Sequence, residues 1–511
     1  MKQSTLKSIF LVMSFFSIPG FSADVQVLKF ENFRHYIESF NINDTETNIQ
    51  AISNENAWEF LKQNIPFFEC PDKKIEETYY YRWWSFRKHL EKTPDGYVFT
   101  EFIMPVKHAG AYNTISCALE HHIYEGRWLK NQEYLDEYIQ FWFRKNEGQP
   151  QPHFHKFSSW VADALYHRYL VNQNQRFLLD LLPDLIRDYQ QWECEKQLPD
   201  GMFYQFDVRD GMEESISGSR KAKNRRPTIN SYMYGNALAI AQIAGIAGEN
   251  KIAEQFLAKA KKIQTLVLEN LWDSEAQFFK VRLENGNFSD AREAIGFIPW
   301  YFNLPDSGYE AAWKQILDEK GFKAPFGLTT AERRHPAFRS HGTGTCEWDG
   351  AIWPFASTQT LVAMANLIRN YPQSVISKND YFDALKTYAT AHQKNGKPYV
   401  GEYQDESTGE WLKGDNPRSQ HYNHSAFCDL VISGLVGLIP RSDNQLEINP
   451  LLPPGKWEWF ALEGISYHGK KITIIWDAKG TKYNMGQGLF VLVNNKVYAH
   501  SKIIEKIKCT F

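Results

Sequence analysis

The sequence predicts a mainly helical protein, in which a ring of paired helices, an (α/α)6 toroid, is followed by a small C-terminal β region. From about residue 55 to 440, apolar residues recur at steps of three and four, which is typical of amphipathic helices. No fixed-period repeat marks this stretch as an α-solenoid, so roughly a dozen helices in one domain favour the ring. After Pro440 the pattern changes to short β-like runs separated by Gly, Pro and Asn.

The elements follow in order along the chain. Helices are predicted at Asn56–Gln63, Ile75–Leu90, Tyr112–Tyr124, Asn131–Arg144, Phe157–Leu170, Gln175–Glu193, Ser231–Ala247, Lys251–Leu271, Ser307–Leu317, Trp353–Arg369, Asp380–His392 and His424–Leu435. Strands are predicted at Leu446–Ile448, Trp457–Leu462, Ile472–Trp476 and Leu489–Val493. The predicted organisation is therefore a signal peptide (1–23), a helical (α/α)6 domain (24–440) and a β domain (441–511). We expect the β domain to be a structural cap rather than a carbohydrate-binding module.

The N-terminus has the pattern of a secretory signal. Lys2 and Lys7 precede an apolar run from Ile9 to Ile18, and small residues stand before Asp24. The run is too short to span a bilayer, and no cysteine follows the expected cleavage site, so no membrane anchor is predicted. We expect an exported protein, periplasmic or secreted. Its six cysteines define no disulfide pairing, and most are expected to be buried free thiols.

Charge and composition narrow the class of partner. The formal net charge is -3 and the pI is near 6.6, so a nucleic-acid partner is not expected. Aromatic residues make up 15% of the chain, with 16 tryptophans. Such rings either pack the core or stack on the apolar faces of sugars, and composition alone leaves both interpretations open.

Two acidic segments lie between predicted helices and carry the candidate chemistry. The first is Asp207–Ser215, and the second is Gly401–Glu410, in which Glu402 stands beside Tyr403. Cleavage of a glycosidic bond needs one protonated carboxyl and one ionised carboxylate, and catalytic groups are often displayed on loops of a rigid scaffold. Each segment alone is also compatible with an ordinary solvated acidic loop.

The segment Gly401–Gly409 resembles the general-base segment of glycoside hydrolase family 63 and its relatives, which include mannosylglycerate hydrolases. In that family a Glu is followed by an aromatic residue or Asn, an acidic turn and Thr-Gly, and Glu402 holds the base position. Asp210–Ser215 is similar to the general-acid segment, with Glu213 where the family has Asp. The resemblance implies an inverting glycosidase, with Glu213 and Glu402 roughly 6.5–9.5 Å apart to admit a water.

Three further stretches resemble the same family in the same order. They are Phe326–Phe338, Glu347–Pro354 and His421–Ser425. Two departures affect the interpretation. Glu213 is one methylene longer than Asp, which leaves Asp210 and Glu214 as alternative acids. Asp349 replaces the usual Arg of the Trp-Arg-Gly segment, so the implied substrate, an α-linked glucoside or mannoside, rests on the weakest part of the resemblance.

Sugar contacts are expected from aromatic rings and polar side chains near both acidic segments. The predicted substrate-binding residues are Arg82, Trp83, Trp160, Arg226, Trp348, Asp349, Trp353, Tyr403, Trp411 and His424. Trp84 competes with Trp83, because adjacent helix positions point about 100° apart and cannot face one pocket equally. The expected partner is an oligosaccharide or glycoside.

Two other functions remain open from the sequence. A polysaccharide lyase would need a Tyr or His base, such as Tyr403, Tyr422 or His421, with Arg226 neutralising a uronate. A non-catalytic glycan-binding protein would use the acids only as hydrogen-bond acceptors. Acid/base hydrolysis needs no cofactor, and none is predicted. His153 and His155 alternate as metal ligands do, but without an acidic partner at fixed spacing no metal site is predicted.

Overall fold

The structure, a computed structural model, describes residues 26–511, and the predicted signal peptide lies outside the described residues. Its α-helices are α1 (Arg34–Ile42), α2 (Ala57–Asn64), α3 (Lys73–Lys88), α4 (Leu119–Gly126), α5 (Glu133–Arg144), α6 (Val161–Asn172), α7 (Gln175–Asp180), α8 (Leu182–Lys196), α9 (Pro227–Ala247), α10 (Asn250–Asn270), α11 (Ile298–Tyr301), α12 (Lys314–Leu317), α13 (Pro354–Asn370) and α14 (Lys378–Ala391). A π-helix spans Leu430–Val436. Short 3₁₀-helices occur at Phe30–Phe33, Ala111–Asn113, Ser116–Ala118, Phe154–Lys156, Asp207–Arg209, Ala294–Phe297, Glu310–Trp313 and Pro417–Ser419. The predicted mainly helical character of the chain is confirmed.

The strands are mostly short and concentrate at the C-terminus. They are β1 (Phe67–Glu69), β2 (Leu90–Thr93), β3 (Gly96–Phe99), β4 (Trp272–Asp273), β5 (Phe278–Phe279), β6 (Lys323–Ala324), β7 (Gly327–Leu328), β8 (Gln393–Lys394), β9 (Lys397–Pro398), β10 (Leu438–Ile439), β11 (Gln445–Ile448), β12 (Trp459–Tyr467), β13 (Lys470–Asp477), β14 (Gly488–Val493), β15 (Lys496–Ser501) and β16 (Ile507–Thr510). The main sheet has the order β1-β12-β13-β14-β15, and a smaller one has the order β10-β11-β16. All pairings in both sheets are antiparallel.

The main sheet is not built from the C-terminal region alone. Strand β1, from the N-terminal part of the chain, pairs with β12, so that Phe68 lies opposite Leu462. Nearly all residues of β12 to β14 are buried, and their apolar side chains belong to the same hydrophobic core as the helices. The pairing of β1 with β12 ties the sheet to the helical region through strand hydrogen bonds as well as through side-chain packing.

Local signals explain where the site-bearing helices begin and end. Pro227 and Pro354 occupy the first turns of α9 and α13, where the missing N–H costs nothing. Helix α9 ends at Gly248, which adopts φ +77°, the left-handed conformation that glycine takes readily. Because α9 is apolar nearly all round, it is buried along most of its length.

Helices that are distant in sequence contact one another in a continuous series. Helix α4 packs on α6, α6 on α9, α9 on α11, α11 on α13, α13 on α14 and α14 on α3. The core is rich in aromatic rings: Trp83, Trp142, Trp160 and Trp300 are all fully buried. No helix among the described residues combines the length and the apolar composition needed to cross a membrane.

Four predicted helices differ from the observed structure. Gln175–Glu193 is divided at Leu181 into α7 and α8, and Ser307–Leu317 is a 3₁₀ turn followed by the four-residue α12. Tyr112–Tyr124 becomes two 3₁₀ turns before α4, and Tyr112 itself has φ +54°. The stretch predicted as His424–Leu435 is extended at first and turns helical only near Cys428. The Glu125 carboxylate, from α4, accepts hydrogen bonds from the backbone N–H groups of Phe427, Cys428 and Asp429 at 2.8–3.1 Å. The start of this helix is therefore set by a cap that lies about three hundred residues away.

Candidate active site

In the acid segment, residues 207–215, hydrogen bonds and ion pairs fix the backbone on both sides of Glu213. The Asp210 carboxylate is fully buried and accepts from Arg226 Nε at 2.6 Å, from Thr228 Oγ1 at 2.5 Å and from Ser158 Oγ at 2.5 Å. On the other side, Glu214 accepts from Arg339 Nη2 at 2.7 Å and from the Thr345 backbone N–H at 3.2 Å. Both alternative acids are therefore occupied by internal donors.

Gly211 gives this segment its tight turn. It has φ +69°, and a Cβ added there would lie 2.5 Å from the Cys117 sulfur. A residue with a side chain would therefore meet both backbone strain and a steric clash. The turn places Met212 in the core and leaves Glu213 half-buried, facing open space.

The base segment, residues 401–411, is an irregular segment with an isolated β-bridge at Gln404, followed by a tight turn. Gln404 exchanges two backbone hydrogen bonds with Ile352, at 2.9 and 3.0 Å. The Asp405 carboxylate accepts from the backbone N–H groups of Ser407 and Thr408 and so stabilises the turn. Asp405 thus has a structural role in the acidic run, and Glu402 is the carboxyl that points into open space.

Glu213 and Glu402 line the same cavity, of about 230 Å³, together with a third carboxyl, Glu101. We call it the carboxyl cavity. Its other walls are formed by Phe102, His108, Ile115, Cys117, Lys156, Phe157, Val208, Arg209, Gly211, Cys346, Trp348, Trp353, Phe355, Arg418, Tyr422 and His424. The structure therefore brings together the two acidic segments that the sequence singled out.

Burial, together with the nearby carboxylates of Glu402 and Asp207, raises the pKa of Glu213 to about 6, against a hydrogen bond from its own backbone. A carboxyl in this state holds its proton up to about pH 6, above the range of an ordinary Glu, as suits a general acid. The effect of Glu402 on Glu213 also shows that the two carboxyls lie within electrostatic reach of each other.

The Glu402 carboxylate lies next to a lysine. Its side chain is 6% exposed, and Lys413 Nζ lies 3.3 Å from its Oε1 atom. Its Oε2 atom is buried and has no hydrogen-bond partner among the described residues. A carboxylate with one oxygen next to a cation and the other free can accept a proton from a water in the cavity.

Glu101 was missed by the sequence analysis. It follows strand β3 in the run Thr100-Glu101-Phe102, which carries no recognisable motif. Its backbone carbonyl accepts from the Asn423 N–H at 3.1 Å, and its Oε1 atom accepts from the Tyr422 hydroxyl at 2.6 Å. Only the pairing of this run with residues 421–424, more than three hundred residues later, places it in the cavity.

Three of the predicted substrate-binding residues line the carboxyl cavity. Trp348 and Trp353 stack on each other with ring centroids 4.3 Å apart, and both contribute to its wall. His424 is 3% exposed, and neither of its ring nitrogens has a hydrogen-bond partner among residues 26–511. Burial lowers the pKa of His424 well below its usual value, so this ring is neutral.

Four predicted substrate-binding residues lie outside the cavity wall. The Arg82 guanidinium donates a hydrogen bond to the Ser425 carbonyl at 2.6 Å and another to the His392 ring at 3.1 Å. Arg226 is fully buried in its ion pair with Asp210. Trp83 and Trp160 are core residues, as are most large aromatic side chains of this chain. These four support the site from behind, because internal contacts leave them no face toward a ligand.

Asp349, Tyr403 and Trp411 also lie behind the cavity wall. Asp349 is paired with Arg339, whose Nε lies 2.9 Å from Asp349 Oδ2, while burial raises the pKa of Asp349 to about 6. Tyr403 stacks on Trp353 at 4.7 Å and orients it. Trp411 donates to the Gln393 carbonyl at 3.0 Å.

The groups considered for a lyase are not assembled at the cavity. Tyr422 lines it, but its hydroxyl donates to Glu101. Arg226 and Tyr403 are buried outside the wall, and His421 is bonded to the Tyr81 hydroxyl at 2.8 Å. A base facing a cation across a uronate is therefore not formed by these residues.

Among the described residues, one cluster has the composition of a metal site. His341, Asp405 and Glu406 lie with their ligand atoms within 4.8 Å of one another. The two carboxylates are already satisfied: Asp405 by turn N–H groups and Glu406 by Ser340 Oγ at 2.6 Å. His155, of the earlier histidine pair, is stacked on Trp192 and bonded to Asp188 at 2.8 Å.

Two parts of the chain match known protein families. Residues 111–425 match the mannosylglycerate hydrolase MGH1-like glycoside hydrolase domain. Residues 440–500 match the C-terminal domain of glycosyl hydrolase family 65. The first match includes Glu213, Glu402 and most of the cavity wall, and the second covers much of the β region.

Solved structures give the same picture of the fold. A structure named sialidase is 52% identical, with a TM-score of 0.93, and covers 94% of this chain and 45% of that chain. This chain thus spans less than half of that protein. The GH63 mannosylglycerate hydrolase from Thermus thermophilus, in complex with glucose, is 13% identical with a TM-score of 0.50, and covers 71% of this chain and 99% of its own.

The GH78 family rhamnosidase of Bacillus sp. GL1 is 14% identical with a TM-score of 0.57, and covers 81% of this chain and 40% of its own. At such identities the last two structures show a shared fold and no more. The match over residues 111–425 covers more than half of the chain and confirms the predicted resemblance and enzyme class. The chain belongs to the mannosylglycerate hydrolase MGH1-like glycoside hydrolases.

Proposed function

We propose that this protein is an exported glycosidase that hydrolyses a terminal glycosidic bond by single displacement, with Glu213 as general acid and Glu402 as general base. The observation that carries the proposal is the position of these two carboxyls on one cavity, where burial raises the pKa of Glu213 and Lys413 Nζ lies 3.3 Å from Glu402 Oε1. Export is supported by the signal-like N-terminus.

The acid step follows from the state of Glu213. Its raised pKa keeps a proton available up to about pH 6, and the proton goes to the oxygen of the leaving group as the glycosidic bond breaks. Glu402, held beside Lys413, removes a proton from the attacking water, which enters from the other side of the sugar. The separation proposed for the two carboxyls is roughly 6.5–9.5 Å, which leaves room for that water.

The size of the cavity favours action on chain ends. Sites for drug-sized ligands are about 300–1,000 Å³, and the carboxyl cavity, at about 230 Å³, is smaller. We infer that it holds a single sugar residue, with the leaving group at its mouth. α-Linked glucosides and mannosides are the first candidates because of the family resemblance.

The proposed architecture is the (α/α)6 toroid, followed by the β domain from residue 441. The serial contacts from α4 through α6, α9, α11, α13 and α14 to α3 support a ring. The carboxyls reach the cavity from loops that connect these helices, as in other enzymes whose catalytic groups lie on loops of a rigid scaffold.

The test is a panel of α- and β-linked disaccharides and aryl glycosides, incubated with the purified full chain. Proton NMR of the first product molecules reads the anomer. We expect release of a monosaccharide whose anomeric configuration is inverted. Retention of configuration would contradict the roles of Glu213 and Glu402, and an unsaturated product that absorbs in the ultraviolet would indicate a lyase.

A further inference from the structure

Glu101 is a buried carboxyl that the acid/base mechanism leaves unused. Its side chain lines the carboxyl cavity and is 5% exposed. The Tyr422 hydroxyl donates to Oε1 at 2.6 Å, and Oε2 has no hydrogen-bond partner among the described residues. No lysine, arginine or histidine of residues 26–511 forms an ion pair with it.

The charged and titratable groups around Glu101 come from several segments. Glu402 and Glu213 face it across the cavity and oppose its ionisation, whereas Arg418 favours ionisation more weakly. The neighbouring Cys117 thiol is neutral, since burial raises its pKa well above its usual value. His108 and His424 also line the cavity, and burial lowers the pKa of both rings.

These surroundings keep Glu101 protonated. A buried carboxylate without a cation costs several kcal/mol, so such a group takes up a proton instead. Burial accordingly raises the pKa of Glu101 to about 8, against the hydrogen bond from Tyr422. Because Tyr422 donates to Oε1, the acidic hydrogen is on Oε2, the oxygen that has no protein acceptor among the described residues.

We propose that Glu101 binds the substrate as a neutral carboxylic acid, with Oε2–H donating a hydrogen bond to an oxygen of the sugar held between Glu213 and Glu402. The ligand is thus a sugar oxygen, a hydroxyl or the ring oxygen, and the residue selects sugars that present an acceptor at this place. A buried carboxylic acid that stays neutral and donates a hydrogen bond is an established catalytic device. The inference rests on the proposed function.

The test compares Glu101→Gln and Glu101→Ala with the wild type, on a glycoside that the wild type hydrolyses in the panel. Gln keeps a donor and is neutral at every pH. At about pH 6 we expect its kcat/KM to stay within roughly threefold of the wild type, and that of the Ala variant to fall about 10- to 100-fold. Above about pH 8 the wild type should lose an additional factor of about ten per pH unit relative to Glu101→Gln.

Glu120→Gln is the matched control. Glu120 is equally buried, burial raises its pKa to about 8 as well, and it lies outside the carboxyl cavity. Its variant should keep the wild-type pH profile. If Glu101→Gln lost as much activity as Glu101→Ala at about pH 6, or if its profile above about pH 8 ran parallel to that of the wild type, the proposal would be overturned.

A second measurement needs no substrate. The infrared carbonyl band of protonated carboxyl groups at neutral pH should be weaker in Glu101→Gln than in the wild type, and thermal melting checks that each variant is folded. An unchanged band would overturn the proposal even if the Ala variant failed to fold. Failure of the proposed function would appear separately, as a panel without any hydrolysis while the band still shows a protonated Glu101.

Discussion

Two cavities of this protein differ in a way that size does not reveal. The carboxyl cavity has about 230 Å³, whereas a second one, lined by Arg127, Asp163 and Asp429 among others, has about 540 Å³. In this second cavity, which we call the ion-pair cavity, Arg127 pairs with Asp429 at 2.7 Å and Asp163 accepts from the Tyr124 hydroxyl at 2.7 Å. Its polar groups are largely engaged with one another.

Within residues 26–511, the smaller, carboxyl cavity has more buried polar atoms without hydrogen-bond partners. Buried oxygens of Glu101 and Glu402 and both ring nitrogens of His424 lack hydrogen-bond partners among the described residues, whereas in the ion-pair cavity this holds for Arg369 Nε. Buried polar atoms are normally satisfied, so groups left open around a cavity point to a ligand that completes them. The comparison indicates that buried polar atoms without partners locate a site better than cavity volume does.

The largest expected effect is on turnover. Glu213→Gln and Glu402→Gln should each lower kcat by about 10²- to 10⁴-fold while leaving the melting temperature nearly unchanged, because a general acid or base contributes on this scale. Steady-state kinetics on the panel substrate measures it. Two variants serve as controls. Glu410→Gln changes an exposed carboxylate of the same base segment as Glu402, and Tyr234→Phe changes a residue of the ion-pair cavity. A comparable loss of kcat in Tyr234→Phe would indicate that the active site is the ion-pair cavity and not the carboxyl cavity.

The second effect is on stability, and it distinguishes the structural role of Asp210 from the catalytic role of Glu213. Arg226→Met should destabilise the fold by about 3–5 kcal/mol, because it leaves the Asp210 carboxylate buried without its cation. Urea unfolding followed by circular dichroism measures the free energy. The control is Arg225→Met, at the residue just before Arg226, which breaks a partly exposed ion pair with Asp200. This variant should lower the free energy of unfolding by less than about 1 kcal/mol. Equal costs for the two variants would contradict the structural role of Asp210.

The sequence predicted much of the helical region, because long amphipathic helices carry their own periodicity. Helices α5, α10 and α13 lie within a few residues of their predicted bounds. The start of the last helix could not be predicted, because its cap, Glu125, comes from α4. Strand β1 was missed for a related reason: three residues have too little pattern, and their partner β12 is about four hundred residues away.

The candidate site divides along the same line. Glu213 and Glu402 stand in segments whose local pattern resembles a known family, and both reach the cavity. Arg82 and Arg226 have the same residue type that binds sugars, but only the structure reveals that Ser425 and Asp210 already occupy their guanidinium groups. Glu101 has no local signal, since its place depends on Tyr422 and Asn423.

The third effect is a pH dependence. A general acid works only while protonated, and burial raises the pKa of Glu213 to about 6. Activity should therefore be present below that pH and fall about tenfold per unit as pH rises through about 6. The pH profile of kcat/KM for the wild type measures this limb. In Glu213→Gln the small residual activity should lack the same limb, and an unchanged limb would assign it to another group.

The most direct measurement of the central claim compares Glu213→Gln and Glu402→Gln on two substrates that share a sugar but differ in leaving group. A 2,4-dinitrophenyl glycoside needs no proton on departure, whereas an alkyl glycoside does. The account predicts that the activated substrate restores most of the lost turnover in Glu213→Gln and none in Glu402→Gln. Equal restoration in both variants, or restoration in Glu402→Gln alone, would contradict the assigned roles.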